Sequence, residues 1–146
     1  MLGATAMSRP SDPFAAPDEP TRRREARQRS VELLYEAEMK SCELADVLAE
    51  QVSDLDPFAL ELATGVAARR EALTQRLAEL LNVGWTPERL GACDRLILLQ
   101  GLFELERGAA PAAVVINEAV ELAHQLGATD RSGALVNGVL AAADGR

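Results

Sequence analysis

Apolar residues along this chain recur at intervals of three and four, the spacing of one face of an α-helix. From Thr21, a candidate N-cap, the pattern predicts a helix over residues 22–40, with Ala26, Ser30, Leu33, Leu34 and Ala37 on one core-facing stripe. A shorter helix is predicted over 43–52, with Leu44, Val47 and Leu48 inward. Asp56-Pro57 joins an N-cap acid to a proline at the first helical position, where the missing N–H has no partner to lose. The pattern it opens runs to Leu81, with a break or bend expected at Arg69-Arg70-Glu71. Gly84 ends that stretch, and Thr86-Pro87 starts a short helical turn that Gly91 interrupts. Asp94 to Arg107 is apolar nearly all round, the mark of a central helix packed on several sides. Pro111 opens a helix to Leu126 with Ile116, Ala119, Val120, Ala123 and Leu126 inward; Gly127 stops it, and a last helix covers Ser132 to Ala143. Short connections and the lack of an internal repeat predict an all-α fold, a compact bundle of about seven helices with room for two helical subdomains.

Residues 1–20 hold four of the seven prolines and few large apolar side chains, and are expected to form a disordered tail before a helical domain over 21–146. Composition agrees with helices. Apolar residues make up 48% of the chain but aromatics only 3%, so the core rests on Leu, Ala, Val and Ile, and Leu and Ala are strong helix formers. Cys42 and Cys93 stand alone, without metal-site or disulfide-framework spacing, which fits small apolar roles in a reducing compartment. The most apolar stretch, Leu96 to Leu105, is too short to cross a bilayer and contains Gln100 and Glu104. The first residues also lack a signal-peptide core. A soluble, cytoplasmic protein with no membrane partner is expected.

Charge changes the picture at one place. The chain carries 15 basic and 23 acidic residues, a net charge of -8, yet residues 22–29 set Arg22, Arg23, Arg24, Arg27 and Arg29 against Glu25 alone. Positive charge at a helix N-terminus opposes the macrodipole at roughly 0.3–1 kcal/mol per exposed group. A solvated helix end is the plain reading of such a cluster; the alternative is an anionic ligand, for which arginine supplies forked phosphate contacts and a planar face for bases. Further along the same helix, Val31, Tyr35 and Met39 continue the Arg24 azimuth, away from the core stripe. They cover either another helix of this chain or a partner protein, for which an exposed Tyr and a pliable Met are well suited.

Enzyme chemistry finds little support. Glu121-Leu122-Ala123-His124 has the spacing of helical carboxylate metal sites, but His124 is the only histidine, so a complete di-iron or His-Glu-x-x-His site cannot be built. Phosphate-binding glycine loops are absent. No metal, cofactor or catalytic residue is expected. Asn117, Asn137 and Gly138 are read as scaffold rather than RNA contacts: the asparagines as hydrogen bonds between the last two helices, the glycine as a close helix approach.

Three stretches in order resemble the NusB family of transcription antitermination factors. They are Arg22-Arg23-Arg24-Glu25-Ala26-Arg27 leading to Leu33-Leu34-Tyr35; Trp85-Thr86-Pro87-Glu88-Arg89-Leu90 followed by Asp94-Arg95-Leu96-Ile97-Leu98 and Phe103-Glu104-Leu105; and Val115-Ile116-Asn117-Glu118-Ala119-Val120-Glu121-Leu122-Ala123 with Leu135-Val136-Asn137-Gly138-Val139-Leu140. The resemblance implies a two-part helical bundle that binds the boxA element of nascent RNA. Its implied partner is a small-subunit ribosomal protein, NusE, within a complex on RNA polymerase that suppresses termination, chiefly in ribosomal RNA operons. Arg23, Arg24 and Arg27 become the candidate RNA-binding residues, Arg24 and Arg27 standing where the family places its RNA-contacting arginines. Val31, Tyr35 and Met39 become the candidate NusE-binding strip, and the free chain is expected as a monomer or homodimer. Three positions depart from the pattern: Leu99 replaces a usual arginine, and Ala134 and Leu135 replace a basic and an aromatic residue. A lost stacking ring costs roughly 1–3 kcal/mol, so weaker intrinsic RNA affinity or more reliance on the partner is expected. A helical adaptor whose arginines serve solubility is the rival binding reading. Some ribosomal RNA methyltransferases carry a NusB-like N-terminal domain, but with no catalytic domain after Arg146 a self-contained enzyme of that kind is not expected.

Overall fold

The computed structural model describes residues 18–145. Most of the expected tail, with Phe14, and Arg146 therefore lie outside the described residues. The first helix, α1 (Glu19–Met39), begins earlier than the pattern predicts. Its N-cap is Asp18 rather than Thr21: the Asp18 carboxylate accepts a hydrogen bond from the Thr21 backbone N–H at 2.9 Å, and Pro20 occupies the first turn. Glu19 and Pro20, assigned to the tail by composition, are thus helical. At the other end Ser41 takes a left-handed conformation, φ 53°, so that its N–H donates to the Glu38 carbonyl and that of Cys42 to the Ala37 carbonyl.

Six more α-helices follow among the described residues, with no strand: α2 (Leu44–Ala49), α3 (Pro57–Ala68), α4 (Arg70–Leu80), α5 (Ala92–Arg107), α6 (Ala112–Leu126) and α7 (Ser132–Ala143). The break expected near Arg69 divides α3 from α4 at that residue, whose backbone leaves the helical region at φ -109°, ψ 19°. A three-residue 3-10 turn, Pro87–Arg89, precedes α5.

α5 is the axis of the molecule. It packs against α1, α3, α4, α6 and α7, while α1, α2 and α3 contact one another on one side and α6 and α7 pair on the other. Its residues from Leu96 to Glu104 are all buried, so the nearly uninterrupted apolar run is a consequence of being surrounded. Leu99 is wholly enclosed in this core, so the departure there changes packing and not a surface. α6 turns Val115, Ile116, Ala119, Leu122 and Ala123 inward; Val120 and Leu126, expected inside, are only partly buried.

Close helix approaches occur at glycines other than the one expected. A Cβ on Gly65 would lie 2.1 Å from the Phe103 ring, and one on Gly101 would lie 2.7 Å from Leu140, whereas nothing stands within 4 Å at Gly138. Asn117 and Asn137 are exposed. The scaffold roles read for these three residues are corrected: they sit on the outward side of their helices, and apolar packing joins α6 to α7.

Candidate nucleic-acid and partner interface

The arginine cluster sits on the first turns of α1, and nearby carboxylates offset its conflict with the helix dipole. Glu19 pairs with Arg22 at 2.8 Å and with Arg23 at 3.2 Å, and Asp56, the N-cap of α3, lies 3.6 Å from Arg22. The Arg23 guanidinium also rests over the Phe58 ring, 4.5 Å from its centroid, a cation–π contact.

Arg24 reaches across to α6. Its Nε and Nη2 donate to the two carboxylate oxygens of Glu118, each at 2.9 Å, a fork-on-fork pair. The arginine side chain is 53% exposed and the glutamate 16%, so the pair stands at the surface with its acid side inward. The hydrogen bond from Arg24 holds the Glu118 carboxyl below the usual carboxylate range, and Glu118 in turn raises Arg24.

Arg27 departs from expectation. Its Nε and Nη2 donate to Glu104 of α5 at 2.8 and 2.9 Å, and the two side chains are only 4% and 8% exposed. Gln100 donates to the Arg27 backbone carbonyl at 3.1 Å. Ser30 Oγ and Gln100 Oε1 nearby are buried with no hydrogen-bond partner among the described residues. The sequence placed Arg27 on the open strip. On α1 it adjoins the core stripe, and the packing of α3 and α5 covers more of the helix than that stripe alone. As placed, its guanidinium is an interior group tying α1 to α5. The signal for it was Glu104: a carboxylate within the apolar run from Leu96 to Leu105 calls for a buried cation.

The strip beyond narrows in the same way. Val31 is 1% exposed and belongs to the core, so its place on a partner surface is corrected. Tyr35 and Met39 are exposed, at 39% and 53%. Between them Glu38 turns toward α4 and α5, accepting from Arg95 and, at 2.6 Å, from Arg70. Those hydrogen bonds, Arg95 first, hold its carboxyl at about 2. Two surfaces thus lie on one helix: Arg22, Arg23 and Arg24 at its start, Tyr35 and Met39 at its end, roughly 16 Å apart by helical rise from Arg24 to Tyr35.

Elsewhere, a groove of about 730 Å³ opens between the end of α4, the turn carrying the half-exposed Trp85, and α7. Ala134 and Leu135 line it with Arg89 and Arg131, which gives those departures from the family pattern a surface setting. His124 packs over α7, since a Cβ on Gly133 would lie 2.5 Å from its Nε2, and its Nδ1 is 3.5 Å from Glu121. Among the described residues no group of three His, Cys, Asp or Glu could hold a metal ion, and no helix is long and apolar enough to cross a membrane.

The described residues thus form a strand-free helical bundle with a carboxylate-braced arginine cluster and an exposed aromatic on one helix. The NusB family model matches residues 24–144. Transcription antitermination protein NusB of Saccharopolyspora erythraea is 41% identical over 125 residues, covering 81% of this chain and 83% of that protein. Among solved structures, T. maritima NusB superposes with a TM-score of 0.75 at 28% identity, covering 85% of this chain and 91% of that one. The structure of antitermination factors NusB and NusE in complex with dsRNA aligns with a TM-score of 0.71 at 22% identity, over 86% of this chain and 97% of that chain, a likeness that carries the fold. The chain belongs to the NusB family of transcription antitermination factors.

Proposed function

We propose that this protein binds boxA-type RNA of nascent ribosomal RNA transcripts together with NusE, as part of an antitermination complex on RNA polymerase, and that it acts by binding and not by catalysis. The observation that carries the reading is the grouping of half-exposed arginine side chains at the start of α1 in a chain of net charge -8. Such a surface attracts a polyanion at one end and repels it elsewhere. Arg23 and Arg24 are the RNA-contacting members. Arg27, buried against Glu104, supports them from below by fixing α1 on α5. Tyr35 and Met39 form the NusE contact. A relative that was crystallised with NusE and double-stranded RNA supports the pairing of these two ligand classes.

The test is titration of a boxA RNA at several salt concentrations, with wild-type protein and Arg23→Ala/Arg24→Ala. Wild-type affinity should fall steeply with salt, because each phosphate contact releases counterions; the variant should bind more weakly and with a shallower slope. Equal affinity and equal slope would assign the arginines to solubility and leave a helical adaptor without specific RNA binding.

A further inference from the structure

Three of the arginines of α1 share a pattern that their spacing does not reveal. Arg23, Arg24 and Arg27 each donate through Nε to a carboxylate, from Glu19, Glu118 and Glu104 respectively. For Arg24 the engaged edge is Nε and Nη2, both oxygens of Glu118 are used, and Nη1 has no hydrogen-bond partner among the described residues. A guanidinium carries five N–H donors in a rigid plane. Fixing one edge therefore orients the remaining donors without consuming them. The carboxylate comes from α6, 94 residues further along the chain, so it also fixes the arginine relative to a second helix.

We propose that Glu118 is the positioning residue of the RNA site: it anchors Arg24 by its Nε edge and presents the opposite edge to an RNA phosphate or base. The inference rests on the assignment of Arg24 to RNA binding. Two physical effects oppose each other in the pair. An unanchored arginine loses rotamer entropy when it makes a contact, and anchoring removes that cost beforehand. Against it stands repulsion between Glu118 and an arriving phosphate. The phosphate would approach the far edge, with the guanidinium charge between the two anions and solvent screening on the exposed side, so orientation outweighs repulsion. The hydrogen bond from Arg24 favours the ionised form of Glu118, the form that accepts through both oxygens.

The experiment is a double-mutant cycle on boxA RNA affinity, measured with the full chain and NusE present: wild type, Arg24→Ala, Glu118→Ala and the double variant, with Glu118→Gln as a same-shape control and melting temperature as a check on folding. Glu118→Ala should weaken RNA binding about tenfold in the presence of Arg24 and have no further effect in its absence. Glu118→Gln, which keeps one acceptor, should fall between. Tighter binding by Glu118→Ala or Glu118→Gln would show the carboxylate to be a competitor of the phosphate and overturn the proposal. Equal weakening by Glu118→Ala with and without Arg24 would reduce it to a fold effect and overturn it too. If Arg24→Ala itself leaves RNA affinity unchanged, the failure belongs to the RNA site as a whole and not to the anchor.

Discussion

Arginines that look alike in the sequence have different tasks because their counter-charges differ. Arg24 faces Glu118 at the surface, and Arg27 faces Glu104 in the interior. Removing one partner of a buried pair strands the other charge, at a cost of about 3–5 kcal/mol, while replacing both by apolar side chains is often neutral or stabilising. Arg27→Ala should therefore lower stability by about 3–5 kcal/mol in denaturant unfolding, and Arg27→Met/Glu104→Leu should recover most of it. If the single variant is as stable as wild type, the Arg27–Glu104 pair is not what ties α1 to α5. The arginine cluster was legible from residue types alone. Which members are exposed was not, since the partners lie 77 and 94 positions away and only the packing of α5 and α6 on α1 brings them near.

At the scale of elements the sequence spoke most clearly where local chemistry decides. Asp56-Pro57 follows from a cap and a first-turn proline, and the structure has it, the split at Arg69 and the limits of α7 where the pattern puts them. Two signals misled. Asp18 competes with Thr21 for the same N-cap role, and the presence of prolines made Glu19 and Pro20 look like tail although proline suits a first helical turn. Gly138 gave no clue to its exposure, and the tight contact at Gly65 depends on Phe103, a residue of another helix. The exit of α1 carries its own test. Ser41 holds a left-handed conformation that disfavours any side chain with a Cβ by roughly 1–2 kcal/mol, part of which Gly loses again through its greater unfolded-state entropy. Ser41→Gly should thus raise stability by about 0.5–1 kcal/mol without altering helicity. A loss of stability would mean that the serine side chain stabilises the turn.

Across the whole molecule, long-range pairs tie the helices that the short loops leave independent. Glu38 on α1 receives Arg70 of α4 and Arg95 of α5, and so joins three helices at the end opposite the arginine cluster. Its carboxyl sits at about 2 in the folded protein against an ordinary 4.5, so it contributes stability that is fully present above pH 4.5 and lost as pH falls toward 2. Glu38→Gln should flatten the acid limb of the stability curve in that window and leave the shape near neutrality alone; an unchanged acid limb would remove Glu38 from the account. The bundle and its central helix were legible in hydrophobic periodicity, and the family in three ordered stretches. The division of α1 into two surfaces was only half legible: Tyr35 and Met39 stayed outside, while Val31 was drawn into the core by the packing around it. The proposed division, RNA at the start of α1 and NusE at its end, is decided by boxA RNA affinity with and without NusE for wild type, Arg24→Ala and Tyr35→Ala. Arg24→Ala should weaken RNA binding in both conditions, whereas Tyr35→Ala should leave the NusE-free affinity unchanged and abolish the gain on adding NusE. A Tyr35→Ala protein that folds and still gains the full affinity from NusE would contradict it.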